Sequence, residues 1–271
     1  MTALILLAHG SRHPDTGIVL DDGVKRVGAA LPGPGYGGPS QVRLAWLDLD
    51  EPLLADVCAE LAASGEHHAV AVPLLFTEAF HARVDVPEQV AQCQRHGVEI
   101  SVAPGLGLGE GTRRAVLQRI VETACAAEVS GPVDALIMAV GSSDAAANEA
   151  VHHFATSLDG NLPGRVSAAF VVGPEDIKGA AAVEAARVRA AMRGRALVVV
   201  PLFTAPGLLW DKVIDEAAPA APGEVLYATP LAELLVPIVG CRWDSRDAAS
   251  SLGVSPAAAR SRELPEQKTV A

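Results

Sequence analysis

Aromatic residues and long hydrophobic runs are both scarce in this sequence. Phe, Trp and Tyr make up only 4% of the 271 residues, whereas 50% of the residues are hydrophobic. Aliphatic side chains must therefore fill the cores, as is common where strands alternate with helices. No apolar run approaches the roughly 18 residues that a transmembrane helix needs, and the start, MTALILLAHG, lacks the features of a secretory leader. We expect a cytoplasmic α/β protein that has no membrane partner.

The sequence also lacks clustered cysteines and an excess of positive charge. The four cysteines, Cys58, Cys93, Cys125 and Cys241, contain no C-x-x-C pair, so we predict reduced thiols rather than a zinc site or an iron–sulfur cluster. The chain has 32 acidic and 21 basic residues and a formal charge of −11, which repels nucleic acid at long range. We expect no nucleic-acid partner, and an anionic ligand would require basic residues close to its site.

The order of predicted elements occurs twice along the chain. Strands are predicted near residues 3–8, 41–47, 68–75, 98–102, 134–140, 165–172, 195–202 and 224–228. Helices are predicted near residues 16–30, 51–64, 84–96, 110–127, 144–158, 178–192, 207–217 and 231–239. This pattern predicts two successive α/β layers of four strands each.

Direct comparison of the halves indicates an internal duplication. LLAHGS (6–11) aligns without gaps on IMAVGS (137–142), and VAVPLLF (70–76) aligns on VVVPLFT (198–204). Because the Gly10–Pro73 spacing is 63 residues and the Gly141–Pro201 spacing is 60, the two matches hold over a whole domain.

The duplication predicts an α/β fold of two similar Rossmann-like lobes. Each lobe is expected to be a parallel sheet of about four strands flanked by helices, with an active-site cleft between the lobes. We predict lobes at 1–130 and 131–243, divided near the Gly-Pro at 131–132, and a disordered tail at 244–271.

Three polar residues follow the strands of the first lobe. His9 ends the first strand, Asp48 ends the second, and His81 follows the third by a few residues. If the first strand lies between the other two, all three side chains overhang one edge of the sheet, where ligands bind in such folds. Two imidazoles and a carboxylate suit a divalent transition metal, and neutral imidazole also accepts protons.

The second lobe lacks both histidines. Val140 stands where His9 is, and Leu209 stands where His81 is. A histidine needed for packing would have been kept or replaced by a polar residue, so we predict that the first lobe carries the chemistry. A structural function for these histidines is the alternative reading.

Several other motifs receive no function. The pairs His67-His68 and His152-His153 cannot chelate as neighbours, and His13 and His96 are expected to be exposed, although His13 could flank the cleft. The glycine-rich stretch at 103–114 departs from G-x-G-x-x-G and follows the fourth strand, so we predict a flexible connection. A phosphohistidine phosphatase would need an arginine where Ala8 stands.

The motifs resemble those of the sirohydrochlorin chelatases, the ATP-independent enzymes that insert cobalt or ferrous iron into sirohydrochlorin. The resemblance is carried by AHGSRHP, WLDLDEP and VPLLFTEAFHARVDVPEQV, and by the degenerate GSSDAAANEA (141–150) and VVVPLFTAPGLL (198–209). It extends from about residue 3 to residue 240.

The resemblance implies functions for individual residues. His9 and His81 match the pair that binds the metal and accepts pyrrole protons, and Asp48 stands where related sequences have glutamate. The residues expected to contact the substrate are Ser11, Arg12, Arg83 and Lys212.

The resemblance also implies the ligands and the reaction. Fe²⁺ or Co²⁺ is the metal delivered, with a slight preference for iron, and nickel is conceivable; no organic cofactor is expected. The protein would serve sirohaem or cobalamin synthesis as a monomer or homodimer. A tetrapyrrole or metal delivery protein that does not catalyse insertion is the alternative.

Overall fold

The computed structural model describes residues 1–77, 89–217, 221 and 224–246. The strands are β1 Ala3–Ala8, β2 Val42–Trp46, β3 His68–Pro73, β4 Glu99–Val102, β5 Asp134–Ala139, β6 Val166–Phe170, β7 Leu197–Pro201 and β8 Val225–Tyr227. The helices are α1 Asp15–Ala30, α2 Leu54–Ala63, α3 Glu110–Ala126, α4 Ala145–Ser157, α5 Gly179–Ala191, α6 Leu208–Glu216 and α7 Val236–Asp244. Residues 89–95 are also helical, so only part of the helix predicted near 84–96 is described.

The two sheets have the same topology. In the first sheet the strand order is β2-β1-β3-β4, and in the second it is β6-β5-β7-β8, with all pairs parallel. The predicted fold class, two parallel four-stranded α/β layers, is therefore confirmed. The first strand of each sheet lies between the second and third, as the site prediction required.

The alternation of side chains along the strands produces three hydrophobic clusters. In β1, Leu4 and Leu6 point to one face, and Ile5 and Leu7 point to the other. The first face joins a cluster that also contains Ile137 of β5, so this cluster is shared by both sheets. The other two clusters each cover the far face of one sheet. The lobes are thus joined by a common core.

The C-terminal helix joins the second lobe back to the first. The predicted helix near 231–239 is instead a 3₁₀ turn at Ala232–Leu235 followed by α7, which continues to Asp244. Trp243 is 1% exposed, and its Nε1–H donates to the carbonyl of Gly37, 3.0 Å away. The pattern prediction ended this helix too early because its anchoring contacts are with residues about 200 positions away.

The predicted tail, 244–271, has only its first three residues in the described part. Asp244 ends α7, and the Arg246 guanidinium lies 4.0 Å from the centre of the Trp243 ring. In the described ranges, no helix combines the length and the apolar character needed to cross a bilayer.

Candidate functional site

A cavity of about 720 Å³ lies where the carboxyl ends of the two sheets meet. The first lobe contributes His9, Asp48 and residues 74–77, and the second contributes residues 139–143 and 202–209. Thr16 Oγ1 donates to the carbonyl of Pro206 at 2.8 Å, so the lobes also meet along the cavity wall. The volume falls within the range of sites for small molecules and cofactors.

The His9 imidazole and the Asp48 carboxylate come together at the end of β1. Their Nδ1 and Oδ1 atoms lie 3.4 Å apart, and the backbone N–H of Gly10 donates to the same Oδ1 at 3.1 Å. The His9 side chain lines the cavity and is 31% exposed as a whole, whereas its Nε2 atom is buried. The structure therefore brings together two of the three residues predicted at this edge.

Gly10 allows this close approach of the β1 and β2 ends. A Cβ at Gly10 would lie 2.0 Å from the Asp48 carbonyl oxygen, a distance that no side chain tolerates without movement of the backbone. The second lobe has the same contact, because a Cβ at Gly141 would lie 1.9 Å from the Val172 carbonyl oxygen. Gly10 and Gly141 thus serve the fold in both lobes.

The strand register identifies the counterpart of Asp48 in the second lobe. Ala8 pairs with Trp46, and Ala139 pairs with Phe170. Asp48 lies two residues after Trp46, and Val172 lies two residues after Phe170, so Val172 occupies the position of Asp48 in the second lobe. The sequence comparison had found valine in place of His9, and the structure adds that Asp48 is also replaced by valine. The second lobe has therefore lost both members of the pair.

Ser11 takes part in a turn that also occurs in the second lobe. Its hydroxyl accepts the His13 N–H at 3.1 Å, as Ser142 Oγ accepts the Asp144 N–H at 3.0 Å. This repeated hydrogen bond gives Ser11 a function in the turn. Ser11 also lines the cavity, and its predicted contact with substrate stays a prediction.

Two residues that the sequence analysis passed over support these turns. Asp50 Oδ2 accepts the Ser11 N–H at 2.7 Å, and Asn148 Oδ1 accepts the Ser142 N–H at 2.9 Å. Asn148 is 5% exposed and hydrogen-bonds Glu175 at 3.3 Å. Asp50 lies in the quoted WLDLDEP motif and Asn148 in the quoted GSSDAAANEA stretch, but the sequence analysis gave neither residue a function.

The second lobe contributes an apolar wall to the cavity. Val140, Leu208 and Leu209 line it, and they are 39%, 53% and 37% exposed. Solvent-exposed aliphatic side chains inside a cleft favour a ligand with an apolar face. The cavity is therefore asymmetric, with the imidazole and carboxylate on one side and hydrocarbon on the other.

The predicted substrate-binding cations have different positions. Arg12 lines the cavity and is exposed, and among the residues described no carboxylate lies within ion-pair distance of it. Lys212 lies outside the cavity lining, 3.8 Å from Glu216 on the next turn of α6. Arg83 lies outside the described residues, as does His81.

The structure corrects the expectation that His13 is exposed. Its side chain is only 12% exposed, and Nε2 lies 3.0 Å from Asp211 Oδ2 of α6. Because the Asp15 N–H donates to His13 Nδ1 at 3.1 Å, the ring hydrogen is on Nε2 in the neutral form and points at Asp211. His13 thus links the lobes beside the cleft, whereas His96 is exposed, as predicted.

The structure also corrects the expectation for the glycine-rich stretch. The predicted flexible connection is wrong, because its backbone is held on both sides: Gly107 N–H donates to the Leu75 carbonyl at 3.2 Å, and Arg242 donates to the carbonyls of Gly105 and Leu106.

Within the described ranges, no group of three or more His, Cys, Asp or Glu residues is arranged to hold a metal ion. The predicted histidine pair includes His81, outside those ranges.

Comparison with known proteins finds a family model that matches the first lobe. Residues 3–123, from β1 into α3, match the sequence profile of the CbiX family. The N-terminal lobe is thus similar to the CbiX family over nearly all of its length. The resemblance drawn from the motifs is thereby confirmed for this lobe, which also carries His9 and Asp48.

The first lobe has curated relatives of about its own length. The sirohydrochlorin cobaltochelatase of Saccharolobus solfataricus is 28% identical over 134 residues, which are 45% of this chain and 96% of that protein.

Solved structures match both lobes. SirB from Bacillus subtilis with Fe³⁺ is 19% identical and aligns with a TM-score of 0.69 over 93% of this chain and 98% of its own. The sirohydrochlorin chelatase SirB from Bacillus subtilis subspecies spizizenii, in complex with cobalt, is 18% identical, with a TM-score of 0.67 over 93% and 97%. At these identities the match shows the two-lobed fold.

Proposed function

We propose that this protein inserts a divalent metal, Fe²⁺ or Co²⁺, into sirohydrochlorin without an organic cofactor. The observation that carries the proposal is the His9–Asp48 pair at the mouth of a cleft whose opposite wall is apolar. A tetrapyrrole needs both features, since its ring face is apolar and its pyrrole nitrogens must lose protons to a base. The names of the relatives, which are chelatases, support the same substrate.

His9 is proposed to act through its Nε2 atom. Asp48 lies beside Nδ1, and a carboxylate there favours the tautomer that has its hydrogen on Nδ1 and its lone pair on Nε2. That lone pair can bind the incoming metal or accept a pyrrole proton. Insertion of M²⁺ releases two pyrrole protons, so the metal–tetrapyrrole product forms as the protons pass to the base and then to water.

Asp48 is proposed to orient His9 rather than to hold the metal by itself. Its Oδ1 already accepts the Gly10 N–H, which fixes the carboxylate against the imidazole. A carboxylate that supports a histidine ligand in this way sets the ring orientation and raises its basicity. His81, which the sequence resemblance pairs with His9, is proposed to complete the metal site from the segment that follows β3.

Arg12 is proposed to contact the carboxylates of the macrocycle. The protein carries a charge of −11 and repels a polycarboxylate at a distance, so a cation at the cavity rim must provide the local attraction. Arg12 is such a cation. Lys212 and Arg83 remain proposed contacts by their positions in the motifs alone.

Turnover tests the proposal directly. Purified protein is incubated anaerobically with excess sirohydrochlorin and either Fe²⁺ or Co²⁺, without ATP, and the absorption change of the pigment is followed. We expect many equivalents of product per protein, and the ratio of kcat/KM between the two metals identifies the preferred one. At most one equivalent would instead indicate a delivery protein.

His9 and an exposed histidine provide the matched variants. His9→Ala is expected to reduce insertion by at least about 100-fold, the usual contribution of a general base. His96→Ala, which removes an exposed imidazole in the same lobe, should leave the rate unchanged. Near-wild-type turnover in His9→Ala would overturn the assignment of His9.

A further inference from the structure

The glycine-rich segment 103–109 has no function in the proposed reaction, yet it packs against the cavity wall. A Cβ at Gly105 would lie 2.8 Å from the Leu75 carbonyl oxygen and 3.4 Å from that of Pro73. Gly107 has a φ of +69° and donates its N–H to the Leu75 carbonyl. The Leu75 carbonyl thus receives a hydrogen bond from one glycine and touches another, and Leu75 lines the cavity.

Arg242 of α7 holds the other side of this segment. Its Nε–H donates to the Gly105 carbonyl at 2.9 Å, and its Nη2 donates to the Leu106 carbonyl at 2.9 Å. Two donors from one planar guanidinium restrain both position and orientation, which a lysine cannot reproduce. The segment is therefore clamped between Arg242 and Leu75.

The helix that carries Arg242 is itself fixed to the first lobe. Trp243 anchors it to Gly37, and Ile238 lies so close to Gly111 that a Cβ there would be 2.8 Å from Ile238 Cγ1. Arg242 is partly buried, so its hydrogen bonds compete little with water. A rigid support thus connects the C-terminal helix, through residues 105–107, to the cavity wall at Leu75 and Phe76.

We propose that Arg242 is a positioning residue for the cleft: through residues 105–107 it sets the position of Leu75 and Phe76, and so the fit of the bound macrocycle. This inference rests on the proposed function for its ligand. Phe76 and Thr77 are the last described residues before the segment that contains His81 in the sequence. Loss of Arg242 therefore weakens ligand binding without removing a group that reacts.

The first test measures amide exchange and needs no activity. In Arg242→Ala, exchange of the Gly107 amide, whose acceptor is the Leu75 carbonyl, is expected to rise about tenfold or more as the segment opens locally. Arg246→Ala is the matched control, since Arg246 stands one turn away and hydrogen-bonds Trp243 and Gly37 instead. Unchanged Gly107 exchange in Arg242→Ala would overturn the proposal.

The second test measures ligand binding and turnover. Arg242→Ala is expected to raise the Kd for sirohydrochlorin, read from its absorption on titration, and its KM by about three- to tenfold, with kcat within about twofold of wild type. Arg242→Lys should give Kd and KM values between those of wild type and Arg242→Ala. It replaces Arg242→Ala in these measurements if that variant does not fold. A loss of kcat at unchanged Kd and KM would contradict a positioning function.

Non-additivity tests the route through the glycine segment. Gly105→Ala pushes on the same Leu75 carbonyl, so we expect the Kd effects of Arg242→Ala and Gly105→Ala to combine to much less than their product. Fully multiplicative effects would contradict the route through Gly105. If wild type binds sirohydrochlorin but does not turn over, the proposed enzyme function fails, and the Kd and exchange measurements still decide the function of Arg242.

Discussion

At the strand ends that face the cleft, the chemical difference between the lobes comes from very few side chains. His9 and Asp48 in the first lobe correspond to Val140 and Val172 in the second, while the glycine that follows the first of each pair is retained. Valine cannot bind a metal or accept a proton. One lobe can therefore carry the reactive groups while the other provides an apolar surface on the same sheet topology.

Asp48 is expected to matter less than His9. Asp48→Ala should lower kcat by about 10- to 100-fold, the usual loss when the carboxylate partner of a histidine ligand is removed, and Asp48→Asn should retain more activity because its amide oxygen still accepts the Gly10 N–H. Steady-state kcat values of Asp48→Ala, Asp48→Asn and His9→Ala, measured together, test whether His9 contributes more than Asp48. A loss in Asp48→Ala equal to that in His9→Ala would make Asp48 a direct ligand or the essential base.

The cysteines are expected to divide into two reactivity classes. Cys58 and Cys93 are fully buried, and Cys125 and Cys241 are exposed. A hydrogen bond between the buried thiols raises the pKa of Cys58, with burial adding to the shift, and lowers the pKa of Cys93. A lower pKa favours the reactive thiolate, but burial keeps the reagent away from Cys93. We therefore expect accessibility, and not the pKa, to determine which thiols react.

Thiol titration checks this division. At pH 8 the native protein should react with a disulfide reagent at Cys125 and Cys241 only, and all four should react in denaturant, with mass spectrometry identifying the sites. Cys93 labelling in the native protein at the rate of Cys125 would show that helix 89–95 opens readily.

At the scale of elements, the strand ends determine where His9 and Asp48, the proposed reactive groups, lie. The ends of β1 and β2 approach each other only because Gly10 has no side chain, and the same contact occurs between β5 and β6 at Gly141. The His9–Asp48 distance is therefore a consequence of strand packing that both lobes share.

Two glycine substitutions should have opposite effects on stability. Gly10→Ala places a methyl group against the Asp48 carbonyl and Leu49, so we expect a loss of about 1–3 kcal/mol from overpacking, together with reduced insertion. Gly23→Ala lies within α1 with no neighbouring atom within 4 Å of the new Cβ, so we expect a gain of about 0.5–1 kcal/mol. Urea denaturation measures both; a neutral Gly10→Ala would mean that the strand ends move apart freely.

Sequence patterns predicted most of the elements well, because these follow from local periodicity, and the two spaced repeats predicted two matching lobes. The central position of the first strand was a condition taken from the fold class, which the structure meets. Sequence patterns did not identify Val172 as the counterpart of Asp48, since WLDLDEP and the segment after β6 share little sequence, and only the strand register relates them. Arg242 and the His13–Asp211 pair were missed for a related reason: their partners lie more than 130 residues away, beyond any local pattern.

At the scale of the whole molecule, the shared core makes the lobes one structural unit. Leu4 and Leu6 of β1 belong to the same buried cluster as Ile137 of β5 and Val200 of β7, and α7 of the second lobe packs on the first through Trp243. Opening one lobe would expose the apolar face of the other. The cleft therefore lies between two lobes that are fixed to each other by burial of a common face.

This arrangement predicts that the lobes unfold together. The three tryptophans allow a test, because Trp46 lies in the shared cluster on the side of the first lobe and Trp210 lies in the outer cluster of the second. In variants that keep only Trp46 or only Trp210, the others being phenylalanine, the fluorescence transition in urea should coincide with the far-UV circular dichroism transition.

Trp243→Ala extends the test to the junction. Removing a tryptophan that is 1% exposed should cost about 3–5 kcal/mol, and the loss should appear as one transition at lower urea because the lobes share their core. Trp243→Phe, which retains most of the ring volume but not the hydrogen bond to Gly37, should cost less. A Trp243→Ala protein with two transitions, only one of them shifted, would show that each lobe is stable without the other.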